Sequence, residues 1–438
     1  MDKQLAPFFV MWAGQAVSLF GSQLVQFALI WWLTRETGSA TVLAIASLVG
    51  LLPQVLLGPI AGTLVDRWNR RLTMMVADSL VALATIVLGL LFWSGTIQVW
   101  QIYALLFVRA VAGSFHWPAM TASTSLMVPE QQLTRIQGLN QTLNGALAIV
   151  SAPLSAFLLA IIPMHSILAI DVITALFAII PLFFIHVPQP DSSKPVSQHA
   201  GAEVKDSSDR GSTSFKEELL EGFAYVWGWP GLLILLIMAL LINLVFTPAA
   251  VLMPLLVSDH FGGGAVELGW FESAWGIGIV VGGLLLGLWG GFKRRILTAL
   301  LGLVFMGAGV IAVGLAPSSA FTIAVAFILI AGIANPFVNG PVFAILQASV
   351  APEMQGRVLG LTNSATMAMS PVGLIIAGLL ADATSVRLLF VIAGLVMGVL
   401  ALVGLFIPAV MQIEENGHSA TLDAGNDVEK SAVEPQSA

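Results

Sequence analysis

Apolar stretches about 20 residues long follow one another along almost the whole chain, and each is long enough, coiled as a helix, to cross the ~30 Å hydrocarbon core of a bilayer. Twelve can be marked, at residues 8–33, 41–65, 72–93, 98–122, 138–161, 164–186, 230–257, 265–291, 296–315, 320–346, 357–381 and 385–411. The sequence therefore predicts an all-α membrane protein with twelve transmembrane helices. Composition agrees. Hydrophobic residues make up 58% and charged residues 9%, with mean hydropathy +0.94, against about 25% charged in a soluble domain. The net charge of −7 misleads, because many of the acids sit in a polar central segment and the C-terminal tail.

Several chemistries are excluded early. With no cysteine there is no disulfide framework, thiol nucleophile or thiolate metal site. The six histidines, His116, His165, His186, His199, His260 and His418, form no i, i+4 pair suited to a metal. The phosphate-cradling G-x-x-x-x-G-K-S/T loop is missing. Neither enzyme activity nor a metal, cofactor, nucleotide or nucleic-acid partner is expected, and the chain is expected to act as a monomer. The N-terminus MDKQLAPFF runs straight into the first apolar stretch without the features of a cleaved leader, so that helix is read as retained.

Lysine and arginine set the orientation. With the N-terminus in the cytoplasm, fourteen of the 17 basic residues fall on cytoplasmic segments, Arg35 and Arg387 fall outside, and Arg109 lies within a span. A multi-pass protein of the cell membrane with both termini cytoplasmic follows. The organisation expected is an N-terminal six-helix bundle (1–187), a cytoplasmic linker (188–229), a C-terminal six-helix bundle (230–411) and a disordered tail (412–438). Within the linker, Ser214 and Glu217 have capping-box spacing, and Phe215, Leu219, Phe223 and Trp227 recur at helical intervals. That pattern fits a short amphipathic helix at the membrane surface.

The densest charge lies in Gly58–Arg71, GPIAGTLVDRWNRR, where Asp66, Arg67, Arg70 and Arg71 interrupt two apolar runs at a very tight turn. Its pattern returns later. Gly58 with Arg70-Arg71 matches Gly282 with Arg294-Arg295. Pro118 and Pro129-Glu130 match Pro341 and Pro352-Glu353, and Arg135-x-x-Gly138-Leu139 matches Arg357-x-x-Gly360-Leu361, every offset being 222 to 224. Six spans lie between copies, so the halves share orientation and are related by an axis along the membrane normal, the parallel-repeat arrangement of major facilitator transporters. The second copy has Gly290 where Asp66 aligns, so the acid belongs to one half alone.

Ionisable groups inside the membrane are costly and suggest function. Four are expected there: Asp78, Arg109, Asp171 and Glu272. Asp78 lies about two turns above Arg70 and Arg71, which fits a structural ion pair as well as a coupling role. Asp171 and Glu272 either face wet vestibules or, enclosed by apolar groups, carry the coupled proton. Arg109 is the deepest and is read as a coupling residue or counter-charge. Neutral polar residues form a second signal. Gln15, Ser18, Ser22 and Gln26 share one face of the first helix, and Gln137, Asn140 and Asn144 share one face of the fifth. Asn243, Asn335, Asn339 and Asn363 mark the seventh, tenth and eleventh. Such residues line a cavity or join helices by hydrogen bonds. Trp31, Trp32, Trp93 and Trp100 sit at helix ends as interface anchors. Amides among many Phe, Met and Leu suit a bulky, hydrophobic small-molecule substrate.

The segments WAGQAVSL (12–19), TGSATVLAIASLVGLLPQVLLGP (37–59), VDRWNRR (65–71), FVRAVAGSFHWPA (107–119), VPEQQLT (128–134), AIDV (169–172) and GGLLLGLWGGFKRRIL (282–297) together resemble the macrolide-efflux-type, drug-exporting branch of the major facilitator superfamily. The resemblance implies proton-driven export of hydrophobic drugs by alternating access. It also implies a conformational latch at Gly62, Asp66, Arg67, Arg70 and Arg71, with Asp66 set against the start of the eleventh helix in the outward-open state. Asn69 stands where glycine is usual, a residue that tolerates the left-handed conformation. Arg109 and Gly113 match the fourth-helix coupling pattern, in which Ala112 replaces a glutamine. Two other readings share the features above: a carrier of a physiological solute such as a siderophore or metabolite, and a membrane sensor that has lost transport.

Overall fold

The computed structural model describes residues 5–185, 187–188, 223–350 and 352–414, with the side chains of Asp66, Glu130 and Arg357 among those outside the description. Twelve long helices account for most of it: α1 (Ala6–Thr37), α2 (Ala40–Arg67), α3 (Arg70–Ser94), α4 (Val99–Met127), α5 (Glu130–Ile161), α6 (Met164–Phe184), α7 (Pro230–Val251), α8 (Ala265–Trp289), α9 (Arg295–Leu315), α10 (Phe321–Ser349), α11 (Pro352–Ala383) and α12 (Val386–Phe406). Among the described residues, eleven helices are long and apolar enough to cross a membrane. The exception is α4, which the sequence counted as a span. Arg109, His116 and a run of serines and threonines dilute its apolar surface.

Local chemistry explains where the helices start and stop. Ser39 caps α2 by accepting from the Val42 N–H, and Asn69 caps α3 by accepting from the Leu72 N–H at 3.1 Å. Asn69 sits at φ −68°, ψ 105°, so the turn between α2 and α3 uses its side chain as an N-cap and no left-handed residue. The equivalent turn after α8 differs. Gly290 and Gly291 lie at φ +78° and +82°, and the Gly290 N–H closes the helix onto the Leu286 carbonyl at 2.7 Å. A left-handed C-cap favours glycine, which accounts for glycine standing where Asp66 aligns.

The internal repeat extends to whole helices. The limits of α4 and α6 recur at an offset of 222 in α10 and α12, and α11 starts 222 residues after α5. Side-chain contacts repeat as well. Arg70 donates to the Ala122 carbonyl of α4 at 2.9 Å, and Arg295 approaches the Ala344 carbonyl of α10 at 3.4 Å. Structurally, then, Arg295 is the counterpart of Arg70, one residue further than the gap-free alignment placed it.

Helices α1–α6 pack mainly among themselves, as do α7–α12, and the two sets meet chiefly through α2 against α11 and α5 against α8. The α2–α11 crossing is close: a Cβ on Gly378 would come within 2.8 Å of the Ala44 methyl. Where α5 meets α8, Pro153 deprives the Ile149 carbonyl of its helical donor, and the Ser273 hydroxyl of α8 lies 3.2 Å from it. Trp93 and Trp100 are 73% and 62% exposed, as anchors would be, but Trp31 is buried in the core shared by Ala152, Leu256 and Phe271. Residues 223–228 are helical, with Phe223 and Trp227 stacked and exposed. Ser214, Glu217 and most of the expected linker and tail lie outside the described residues.

Candidate functional site

Buried and half-buried polar residues of α1, α3, α4 and α6 fall into two tiers. Helices α1, α3 and α4 each contribute a pair at a spacing of seven, Gln15 and Ser22, Asp78 and Thr85, Arg109 and His116, while α6 adds Asp171 to one tier. Seven residues are almost two helical turns, so the tiers stand about 10 Å apart on shared faces. In the first tier Arg109 binds Asp171 at 2.9 Å and also contacts the Thr85 hydroxyl. Thr85 donates to Asp171 Oδ2 at 3.0 Å, and Ser22 donates to Oδ1 at 3.0 Å. Asp171 is 1% exposed, so it faces no vestibule. These contacts tie the carboxylate to the guanidinium and to two hydroxyl donors, and hydrogen bonds between such charged groups are the strong ones.

The second tier is Gln15, Asp78 and His116. Gln15 Nε2 donates to Asp78 Oδ2 at 2.9 Å, while His116 Nε2 lies 3.2 Å from Asp78 Oδ1 and 3.0 Å from Gln15 Oε1. Asp78 therefore pairs with the histidine. Its sequence-based pairing with Arg70 and Arg71 is not what forms: Arg71 donates to the Phe183 carbonyl at the end of α6 at 2.6 Å, and Arg70 reaches α4. At the Phe183 carbonyl, in the last turn of α6, the basic group complements the negative end of the helix.

Both tiers border a cavity of about 490 Å³, which also receives Ser18, Asn140 and Asn144. Trp12 donates from its indole N–H to Asn140 Oδ1 at 2.6 Å. A second cavity, of about 610 Å³, lies between the two sets of helices, and Asn144 borders both. Phe27, Phe246, Trp275 and Phe390 give it aromatic walls, and Gln26, Glu272 and Ser151 give it polar groups. Among the described residues lining it, Glu272 is the one that is charged. The Ser151 hydroxyl is buried with no hydrogen-bond partner among the described residues. A bulky apolar space with a few convergent polar groups is what a small-molecule site requires.

Other expected residues are elsewhere. Asn243 donates to the Ala239 carbonyl of its own helix, Asn339 bonds Asn335, and Asn363 is exposed; none of them lines either cavity. At the α2–α3 turn Arg67 is exposed, and a Cβ on Gly62 would meet nothing within 4 Å. The sequence reading passed over His116, Thr85, Trp12 and Ser151. The common spacing of seven was the signal that joined the first two to Arg109 and Asp78. Also unforeseen is Asp382 near the end of α11, which reaches across to the start of α2. Its carboxylate accepts the Ala40 N–H at 2.7 Å, the Thr41 N–H at 3.1 Å and the Ser39 hydroxyl at 3.2 Å.

The sequence matches the profile of the Major Facilitator Superfamily over residues 11–367 and 235–430. It is 37% identical over 396 residues to macrolide efflux protein A of Streptococcus pyogenes, spanning 90% of this chain and 94% of that one. The chain belongs to the major facilitator superfamily, in its macrolide-efflux branch. More distant is the multidrug efflux pump Tap of Mycolicibacterium fortuitum, 26% identical over 408 residues, 90% of this chain and 94% of its own. The fold is also that of a crystal structure titled as a bacterial homolog of the human lysosomal transporter Spinster in an inward-facing, unoccupied conformation, with TM-score 0.65, 14% identity, and coverage of 96% of this chain and 99% of that one. Within this superfamily member the two repeats are chemically unequal. At the 222 offset, Arg109, His116 and Asp171 correspond to Ala331, Val338 and Ala393. The paired buried charges among the described residues lie in the first half, whereas the second half contributes Glu272 to the cavity between the halves.

Proposed function

We propose that this protein exports bulky hydrophobic drugs, macrolides foremost, from the cytoplasm in exchange for protons, acting as a monomer in the cell membrane with both termini cytoplasmic. The observation that carries the reading is the cavity of about 610 Å³ between the halves, walled by aromatic rings and holding the Glu272 carboxylate and the Ser151 hydroxyl, which has no partner among the described residues. The 37% identity to a macrolide efflux protein supports macrolides as cargo. A carboxylate facing such a space favours cargo bearing a protonated amine, because an uncompensated charge in low dielectric is costly.

Alternating access needs a closure on each side. In the proposed scheme the outer closure is the α2–α11 crossing with Asp382 capping α2. The inner closure is the Asp66 carboxylate set against the start of α11 once the halves rock. Gly62, Arg67, Arg70 and Arg71 hold the turn that carries Asp66, and the two arginines tie it to α4 and α6. A resistance profile in a drug-sensitive host tests the cargo. Expression should raise tolerance to macrolides and to lipophilic amines, and unchanged tolerance to all of them would refute drug export.

A further inference from the structure

The two buried charged tiers differ in one chemical respect. Arg109 does not lose its proton under physiological conditions, so the Arg109–Asp171 tier carries a fixed charge pattern. The other tier pairs its carboxylate with an imidazole, the side chain whose charge changes nearest neutral pH. Both members of that pair border the first cavity, with side chains 21% and 11% exposed, so water in the cavity can reach them.

We infer that His116 and Asp78, aligned by Gln15, form the proton-binding site through which drug export is coupled. This rests on the antiport reading above. The hydrogen-bond pattern assigns the atoms. Asp78 Oδ1 and Gln15 Oε1 are both acceptors, so His116 Nε2 carries hydrogen in either charge state. Both polar contacts of His116 described above are made by Nε2, so Nδ1 is the atom that gains and loses the coupled proton. Gln15 fixes the register by donating its amide to the other Asp78 oxygen.

Among the described residues lining the cavity there is no rival titrating group. Along the cavity, α3 presents Asp78 and α4 presents His116 and the already paired Arg109. Gln15 of α1, Gln54 of α2 and Gln137 and Asn140 of α5 are neutral amides. Protonation at Nδ1 therefore takes the pair from a net charge of −1 to zero, with no bond broken. The energetic consequence is a coupling rule. A neutral pair can be closed off from water at little cost, whereas an unbalanced carboxylate resists closure. When the proton leaves toward the cytoplasm, the cavity closes readily only if a cationic drug supplies the missing charge. Asn144, shared by both cavities, marks where cargo approaches the pair. Protons thus enter as drug leaves.

The test uses the full chain in proteoliposomes with erythromycin, a macrolide bearing a tertiary amine, in two assays: accumulation driven by a proton gradient, and exchange of labelled for unlabelled drug with no gradient. His116→Gln keeps a donor to Asp78 but cannot titrate. It is expected to exchange drug at near the wild-type rate, to lose gradient-driven accumulation, and to flatten the pH profile of exchange. Asp78→Asn is expected to lose accumulation likewise. Gradient-driven accumulation by His116→Gln at the wild-type level would overturn the assignment and leave antiport standing. Loss of exchange together with accumulation in both variants would also overturn it, by giving the pair a general role in the transport path. A wild-type protein that exchanges drug but ignores the gradient would overturn the antiport reading and this inference with it.

Discussion

Replacing Asp382 with alanine removes a carboxylate that ties the end of α11 to the beginning of α2. Three donors lose their acceptor: the Ala40 and Thr41 N–H groups, at 2.7 and 3.1 Å, and the Ser39 hydroxyl at 3.2 Å. The two N–H groups are orphans of the first turn of α2, which has no intrahelical partner for them. Losing a helix cap costs about 0.5–2 kcal/mol. Asp382 is exposed, so screening by solvent pulls the figure toward about 1 kcal/mol. In the proposed scheme that energy belongs to one state, since α2 and α11 separate there when the outer side opens. About 1 kcal/mol shifts the ratio of outer-closed to outer-open molecules by a factor of about 5. The chain has no cysteine, so Thr96→Cys and Ser319→Cys can carry a spin-label pair on exposed loops without interference. Distance distributions from pulsed electron resonance should show the longer separation gaining about fivefold in Asp382→Ala, and Asp382→Asn should fall between the two. An unchanged distribution in a folded variant would show that the α2 cap does not bias the equilibrium.

Asp171→Asn should destabilise the protein by about 3–5 kcal/mol, because it leaves the Arg109 guanidinium buried without its counter-charge; thermal unfolding in detergent measures this, and a melting point equal to wild type would contradict it. Glu272→Gln should reduce resistance to amine-bearing drugs more than to neutral lipophilic ones, and an equal loss for both classes would remove Glu272 from cargo recognition. Asp66→Asn should insert normally yet lose most transport, as read by macrolide efflux from cells; wild-type efflux would discard the latch.

Much of the architecture was legible in the residues because lipid leaves a chain few choices. Apolar stretches of spanning length, short polar junctions and the 222-residue echo of Pro118, Arg135 and Gly138 led to the twelve helices, and the helix limits repeat at the same offset. The failures were local. Asn69 was read by the conformation glycine would adopt, although its side chain allows a different solution, the N-cap. Trp31 was assigned to the interface by its position near a helix end, a rule that ignores which face of α1 it occupies. The position of Asp78, two turns from Arg70 and Arg71 on its own helix, fits an ion pair with them as well as a coupling role, but its partners come from α1 and α4, over sequence distances of 63 and 38 residues. Contacts between helices depend on rotation and register, and a single sequence constrains those weakly. Asn243, Asn335, Asn339 and Asn363 looked like cavity residues for the same reason.

In the proposed cycle drug leaves as protons enter, and inside-out membrane vesicles measure that most directly. Vesicles containing the protein and energised to an acidic lumen should accumulate a labelled macrolide, and a protonophore that collapses the gradient should abolish the accumulation within the same experiment. Accumulation that persists at its full rate after the gradient is gone would contradict proton-coupled export.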